Sequence, residues 1–182
     1  CVSSITWLGR SYCSPAPLTH PKPQCIASWR PNLTKLTPSQ TRLLAAARTG
    51  HLATADENGV PHVIPVCFAL GEDTSCQHVI YSVLDQKPKR TSLNRLRRVR
   101  NILSNPQVAL VVDHYEEAWD HLWYILARGR AKLLEDGEER VKAIGLLKGK
   151  YDQYQAMDID TNPVIKITIH ATAAWGLDSE VN

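Results

Sequence analysis

Strand-like segments dominate this sequence from residue 51 onward, and short turns connect most of them. The clearest is 165–170, Ile-Lys-Ile-Thr-Ile-His, in which apolar and polar residues alternate as on a half-buried strand. Asn58-Gly59 supplies the positive φ angles of a hairpin turn, and Gly129 predicts a bulge or a close backbone approach. The predicted strands are 51–55, 60–70, 77–84, 108–114, 122–134 and 165–175. They predict a mainly β (α+β) fold, a small six-stranded antiparallel barrel with flanking helices.

Three helices are predicted beside the strands. The first begins at Thr37-Pro38, because Thr caps a helix and Pro is favoured in its first turn. The second covers residues 91–103, where apolar residues recur at helical intervals along one face. The third covers residues 135–150, which are acidic at the start and basic at the end, as the helix dipole favours.

The two faces of the predicted strand 77–84 differ in character. Val79, Tyr81 and Val83 alternate with His78, Ile80 and Ser82. This alternation predicts that one face meets a core and that the other meets a ligand or a partner.

Positive charge is concentrated in residues 87–100, where seven of fourteen residues are basic and none is acidic. The whole chain carries a formal charge of +3, so the remainder has 3 − 7 = −4. Lys87 and Lys89 precede the second predicted helix, and Thr91 or Ser92 could cap it, so amines, hydroxyls and free amides would converge there. This arrangement predicts a site for a cofactor phosphate.

Two other interpretations of the basic run are open. Such a run is often the solvated face of a helix. Nucleic-acid binding needs a broad basic surface with stacking aromatic residues, but this run has no aromatic residue and the chain has a single Phe. We therefore expect no nucleic-acid partner.

Composition divides the chain into a domain and an extension. Residues 1–33 contain five of the eleven prolines and three of the five cysteines, and no Asp or Glu precedes Asp56. We expect residues 1–33 to be a disordered Pro-rich extension, 34–178 to form the folded domain and 179–182 to be a tail. Neither a membrane span nor a metal-binding cysteine spacing is apparent, so we expect a cytoplasmic protein with reduced thiols, without a membrane or metal partner.

Several short motifs, taken in order, resemble a known family. They are His51-Leu52-Ala53-Thr54, Asp56 to Gly59, Pro61 to Val66, Lys87-Pro88-Lys89, Asn101-Ile102 and Asn105-Pro106. Together they resemble the pyridoxamine 5′-phosphate oxidase-like split-barrel family, also called the FMN-binding split barrel, over residues 36–176. Further segments resemble its branch of coenzyme F-420-dependent enzymes: Val111 to Tyr115, Trp119, Leu122 to Tyr124 and Arg128 to Ala131.

The resemblance implies a homodimer with two cofactor sites at the subunit interface, each built from both chains. It implies that Ile64, Pro65 and Val66 lie along the cofactor ring and offer backbone amides to it. It also implies cofactor contacts from Tyr81, Ser82 and Val83 and phosphate contacts from Lys87 and Lys89. Arg97, with Arg90, Arg95 and Arg98, could bind the longer anionic tail of a deazaflavin.

The function implied is that of an oxidoreductase that transfers hydride between coenzyme F-420 and a small organic substrate. FMN is the alternative cofactor, and a non-catalytic protein that binds a flavin, haem or another anionic ligand is the alternative class. The cofactor carries the reaction, so no catalytic triad is needed and no catalytic residue is assigned. Candidate proton donors are Tyr81, Tyr115, Tyr124 and His62, and candidate stacking or interface residues are Trp119, Trp123 and Trp175, although such residues are more often packing residues.

Overall fold

The computed structural model describes residues 36–73, 77–85 and 96–177. They form one antiparallel sheet in the order β2-β1-β5-β6-β7-β4-β3. The strands are β1 Gly50–Ala55, β2 Pro61–Val66, β3 Ala69–Glu72, β4 His78–Val83, β5 Gln107–His114, β6 Trp123–Leu134 and β7 Val164–Trp175. The helices are α1 Pro38–Ala46, α2 Arg97–Ser104, α3 Glu138–Lys150 and α4 Asp152–Gln155, and Trp119–His121 is a 3₁₀ turn. The predicted α+β class and antiparallel sheet are confirmed.

The sheet has seven strands rather than six, because the predicted strand 60–70 is divided at Cys67 and Phe68. Phe68 is fully buried, and its N–H and C=O are satisfied by the Tyr151 hydroxyl, at 3.0 and 2.8 Å, instead of by a neighbouring strand. β2 and β3 are consecutive in the chain yet lie at opposite edges of the sheet. The sheet must therefore curl until its edges meet at Cys67–Phe68, which leaves a barrel that is split there and not closed by hydrogen bonds.

Two apolar cores lie on the two faces of the curled sheet. The first is inside the barrel and includes Leu52, Leu110 and Ile167. The second lies between the sheet and α3 and includes Tyr81 and Leu147. Strand β4 contributes to both, because its alternating residues point into opposite cores.

The burial of β4 corrects one prediction. Ile80 and Ser82, on the face expected to meet a ligand or a partner, are as buried as Val79, Tyr81 and Val83 on the other face. Only His78, the first residue of the strand, is partly exposed. Alternation in the sequence cannot distinguish a strand with one buried face from a strand covered on both faces, because a second packed layer is a tertiary feature.

The helices agree with the prediction in two cases of three. Thr37 caps α1, and its hydroxyl accepts a hydrogen bond from the Gln40 N–H at 3.2 Å. α3 begins at Glu138, after Gly137, whose φ of 86° lies in the left-handed region that favours glycine. The predicted helix 91–103 is wrong at its start: Leu96 is extended and α2 begins at Arg97. Thr91 and Ser92, the predicted caps, lie outside the described residues.

The predicted irregularity at Gly129 is confirmed. The pairing of β6 with β7 shifts between Arg128 and Gly129, so that His170 is left without a partner in β6. A Cβ on Gly129 would lie 2.4 Å from the Thr168 carbonyl oxygen, closer than real Cβ atoms approach. Glycine at this position therefore permits the two backbones to approach.

The predictions for residues 1–33 and for the tail 179–182 lie outside the described residues. Within the described ranges, no helix is long and apolar enough to cross a membrane.

Candidate functional site

Strand β2 is an open edge of the sheet. It pairs with β1 on one side, and no described strand pairs with its other side. Ile64 and Val66 are half-buried, whereas Pro65 is exposed. A strand edge of this kind presents backbone N–H and C=O groups to a ligand, although Pro65 itself has no N–H to donate. The structure thus places these three predicted residues together on an accessible edge.

The end of β4 lies against the end of β2 across the split. The Ser82 hydroxyl donates to the Cys67 carbonyl oxygen at 2.8 Å. The Tyr81 hydroxyl donates to Glu139 Oε1 at 2.9 Å beneath α3, and burial, followed by that contact, raises the pKa of Tyr81. The side chains of Tyr81, Ser82 and Val83 are all enclosed by the protein. Their contact with a cofactor stays a prediction, and within this chain their polar groups already have partners.

Arg98 connects α2 to the end of β4. It is half-buried, and burial lowers its pKa, while the neighbouring Asp85 carboxylate and Tyr154 hydroxyl act in the opposite direction. The Tyr154 hydroxyl donates to Asp85 Oδ2 at 3.2 Å. The positively charged start of α2 therefore lies beside Asp85, in the loop that follows β4.

The same turn of α2 also lies near β2. The pKa of His62 is lowered by burial and then by the positive charges of Arg97 and Arg98. An imidazole with a lowered pKa is neutral at pH 7, so His62 adds no positive charge to the site. The start of α2 thus adjoins both β2 and the end of β4.

Arg97 borders a polar cavity of about 340 Å³ at the turn between β1 and β2. The other residues that line it are Asp56, Glu57, Arg100, Asn101 and Ser104. Asn101 is buried and donates to the Thr54 hydroxyl at 3.0 Å, which holds α2 against β1. Two guanidinium groups face two carboxylates here, so the cavity is polar without a strong excess of either charge.

Lys87 and Lys89, the predicted phosphate ligands, lie outside the described residues. They belong to the segment between Asp85 and Leu96. Both ends of that segment are at the candidate site, since Asp85 contacts Tyr154 and α2 begins at Arg97.

Most of the remaining aromatic candidates form an exposed group at one end of the sheet. We call Tyr115, Trp119, Tyr124 and Trp175 the aromatic band; Trp119 is 72% exposed. Trp123 is partly buried and stacks on His114, with 6.0 Å between ring centroids. His51 pairs with Pro65 of β2 and lies 3.6 Å from Asp113 at the end of β5, so the band and the open edge share this end of the sheet.

Two residues of the candidate site were not predicted from the sequence. Asp85 lies in the loop after β4, and Tyr154 lies in the one-turn helix α4. Neither periodicity nor a motif marks these positions in the sequence. Only the packing of α4 under the end of β4 brings them to Arg98. No group of three or more potential metal ligands occurs among residues 36–73, 77–85 and 96–177.

The curled antiparallel sheet, divided between β2 and β3 and flanked by helices, defines a split-barrel protein. The family model described as pyridoxamine 5′-phosphate oxidase matches residues 36–176. The chain therefore belongs to the pyridoxamine 5′-phosphate oxidase family. No curated protein sequence matches it.

Solved structures share the fold at low sequence identity. A conserved hypothetical protein from Mycobacterium tuberculosis is 17% identical, with 80% of this chain and 88% of that chain covered and a TM-score of 0.59. HutZ, the heme storage protein from Vibrio cholerae, is 16% identical, with 78% and 94% covered and a TM-score of 0.56. An FAD-binding protein from Mesorhizobium loti is 22% identical, with 74% and 87% covered and a TM-score of 0.52. At these identities the similarity shows the fold alone.

Proposed function

We propose that this protein is an oxidoreductase that binds a phosphate-bearing flavin-type cofactor, with coenzyme F-420 as the first candidate. The observation that carries the proposal is the position of the first turn of α2. Its Arg97 and Arg98 lie near His62 on β2, and Arg98 also lies near Asp85 beyond β4. Strand β2, the loop after β4 and the start of α2 are therefore neighbours in the folded chain, which supports the single cofactor site that the family resemblance and the basic run suggest.

Each segment has a distinct part in this proposal. The open edge of β2 at Ile64–Val66 would hold the ring through backbone groups. Lys87, Lys89 and Arg97 would bind the anionic end, because amines and guanidinium groups form charge-assisted hydrogen bonds with phosphate. The bound cofactor would supply hydride transfer, and the protein would orient the ring and exclude water from it.

We also propose that the site is completed by a second copy of the chain. The aromatic band is exposed at the end of the sheet that includes the open edge of β2. Exposed aromatic groups next to an unpaired strand edge are typical of a protein interface. Sedimentation velocity of the full chain should give a dimer, and a monomer at all concentrations would contradict this part.

FMN is the second candidate cofactor, and one observation favours it. Asp56 and Glu57 face Arg97 and Arg100 across the polar cavity. They offset the positive charge that the longer anionic tail of F-420 would need there. A single phosphate held by Lys87 and Lys89 would not depend on that cavity.

Titration of the full chain with F-420 and FMN, followed by ligand fluorescence, tests the proposal. The test variant is Lys87→Ala, Lys89→Ala. The matched control is Arg42→Ala, Lys132→Ala, which also removes two positive charges, from α1 and from the exposed side of β6. We expect the test variant to bind at least about 30-fold more weakly and the control to bind normally, because charge-assisted hydrogen bonds contribute about 1.5–3 kcal/mol each.

The two cofactors and the non-catalytic alternative give different results. Preference for F-420, with reduction of an acceptor by the reduced cofactor, supports the first candidate, and preference for FMN supports the second. Tight binding without turnover of any acceptor would contradict the oxidoreductase assignment. Binding of neither cofactor, or equal binding by the test variant, would overturn the cofactor proposal.

A further inference from the structure

A groove lies on the side of the protein formed by α1, β3 and α3. Its volume is about 510 Å³, within the range of about 300–1,000 Å³ found for small-molecule sites. The lining is apolar except for two lysines. Its residues are Ala45, Ala69, Leu70, Lys142, Gly145, Leu146, Gly149 and Lys150.

Two glycines of α3 keep the groove open. Gly145 and Gly149 are one turn apart, and a Cβ on either would meet no atom within 4 Å. Each glycine within a helix costs about 1 kcal/mol relative to alanine. A Cβ would therefore fit at both positions without strain, so the open space results from the absence of side chains at these two residues.

Lys150 lines one end of this groove and carries a positive charge. Its Nζ lies 4.3 Å from the centroid of the Phe68 ring and 3.4 Å from the Leu44 carbonyl oxygen. Among the described residues, no Asp or Glu forms an ion pair with it, although Lys148 of the same helix pairs with Asp160 at 2.7 Å.

The Lys150 ammonium lies over the Phe68 ring and 5.6 Å from the centroid of the Tyr151 ring, but no carboxylate among the described residues neutralises its charge. Burial and the positive charge of Arg48 lower the pKa of Lys150 to about 8, opposed only by Cys67. Arg48 itself lies over the Tyr151 ring at 4.6 Å. An anion near Lys150 would relieve both the loss of solvation and the repulsion between the two cations.

We propose that this groove binds an apolar monocarboxylate, with its carboxylate at Lys150 and its hydrocarbon tail over Gly145 and Gly149. The positive charge of the groove favours a negatively charged ligand, because a cation would be repelled by Lys142 and Lys150. The lining favours an apolar tail on the ligand, because the side chains of Ala69, Leu70 and Leu146 along the groove are apolar. The site uses α1, β3 and α3 and does not depend on the cofactor proposal.

Titration of the full chain, labelled with ¹⁵N-glycine, tests the proposal by NMR. The chain has nine glycines, so the Gly145 and Gly149 amides act as local reporters and the others report on the fold. The probe is octanoate, and octylammonium is the control with the same tail and the opposite charge. We expect saturable shifts of both amides with octanoate at a Kd of about 1 mM, and much weaker shifts with octylammonium.

Three variants locate the interaction. Lys150→Met removes the ammonium but keeps the apolar stem, and we expect octanoate to bind at least about tenfold more weakly. Lys148→Met removes a charge from the same helix outside the groove and should leave binding unchanged. Gly145→Leu fills the groove and should abolish the shift of Gly149, and its helix propensity favours folding.

Three results would overturn the proposal. They are equal shifts with octylammonium, unchanged octanoate binding by Lys150→Met, and the absence of a saturable shift in the wild-type protein. The signals of the other glycines would show whether Lys150→Met folds. If it does not, the comparison of octanoate with octylammonium and the Gly145→Leu variant still test the proposal.

Discussion

The buried ion pair beneath α3 provides the sharpest test of how this fold is held together. Lys166, on β7, has a side chain only 8% exposed, and it donates to Glu139 Oε1 on α3. Tyr81, on β4, donates to the same oxygen at 2.9 Å. One carboxylate thus joins α3 to two neighbouring strands.

Glu139→Gln removes the charge of this carboxylate but keeps its shape. Removing one member of a buried ion pair costs about 3–5 kcal/mol, because the remaining charge is buried without compensation. The Glu139 side chain is 34% exposed, and a glutamine oxygen can still accept one hydrogen bond, so the cost should lie at or just below the lower end of that range. We expect Glu139→Gln to lower the free energy of unfolding by about 2–3 kcal/mol at pH 7.

Urea denaturation measures this cost. The proteins compared are the wild type, Glu139→Gln, Lys166→Met and the double variant, so that the part of the cost due to the ion pair can be separated. Lys166→Met removes the buried ammonium, so Glu139→Gln should cost much less in that background. We expect a coupling free energy of at least about 1 kcal/mol between the two positions. A loss below about 0.5 kcal/mol, or an equal loss in both backgrounds, would refute this account of the pair.

The dependence of this cost on pH has a definite sign. Burial raises the pKa of Glu139, but the hydrogen bonds from Lys166 and Tyr81 and the positive charges of Lys166 and Lys132 together outweigh it, so the pKa lies below its ordinary value of 4.5. A carboxyl whose pKa is lowered by folding stabilises the folded state above its ordinary pKa, and this contribution disappears as the pH falls through the lowered pKa. The stability difference between wild type and Glu139→Gln should therefore shrink below about pH 4.5.

Three further substitutions have expected effects on unfolding measured in urea. Gly129→Ala should cost about 3 kcal/mol, because its Cβ would lie 2.4 Å from the backbone oxygen of Thr168, which cannot move as a side chain could. Tyr151→Phe should cost about 1–3 kcal/mol, because the buried N–H of Phe68 loses its acceptor. Lys150→Met should raise stability at pH 7 and flatten its rise between about pH 8 and 10.5, because a lysine whose pKa is lowered by folding destabilises the folded state while it is protonated.

Matched changes at unconstrained positions serve as controls. Gly145→Ala, where a Cβ meets no atom within 4 Å, should be neutral or stabilising. Tyr115→Phe, at an exposed tyrosine, should change stability by less than about 0.5 kcal/mol. Equal effects of Gly129→Ala and Gly145→Ala would contradict the close approach at Gly129. A pH profile of Lys150→Met that parallels that of the wild type would contradict the assigned pKa.

Local signals predicted most of the secondary structure. All six predicted segments contain strand, and five of them form a single strand each, because alternation, β-branched residues and the Asn58-Gly59 turn act over a few neighbouring residues. The division of residues 60–70 could not be predicted, since it depends on a hydroxyl from Tyr151, 83 positions beyond Phe68. The start of α2 was also misplaced, because helical spacing around Leu96 does not reveal that its backbone is extended.

The candidate site shows the same division between local and distant causes. The basic run was recognisable, because charge density is a property of a short segment. Strand β2 was assigned to the site only through the family resemblance of residues 61–66, and its open edge is seen only in the folded sheet. The neighbours of Arg98, namely Asp85 and Tyr154, were not recognisable, because α4 packs near the end of β4 only in the folded chain.

The sequence by itself determined the succession of strands, the α+β class, the bulge at Gly129 and the location of the positive charge. These follow from interactions between residues close in the chain. The tertiary structure alone decided that both faces of β4 are buried, that the barrel is split at Cys67–Phe68 and that Lys150 lies in a groove whose described lining residues include no Asp or Glu. Those features depend on which distant segments pack together, and the burial of apolar surface that drives such packing depends on area and not on position in the sequence.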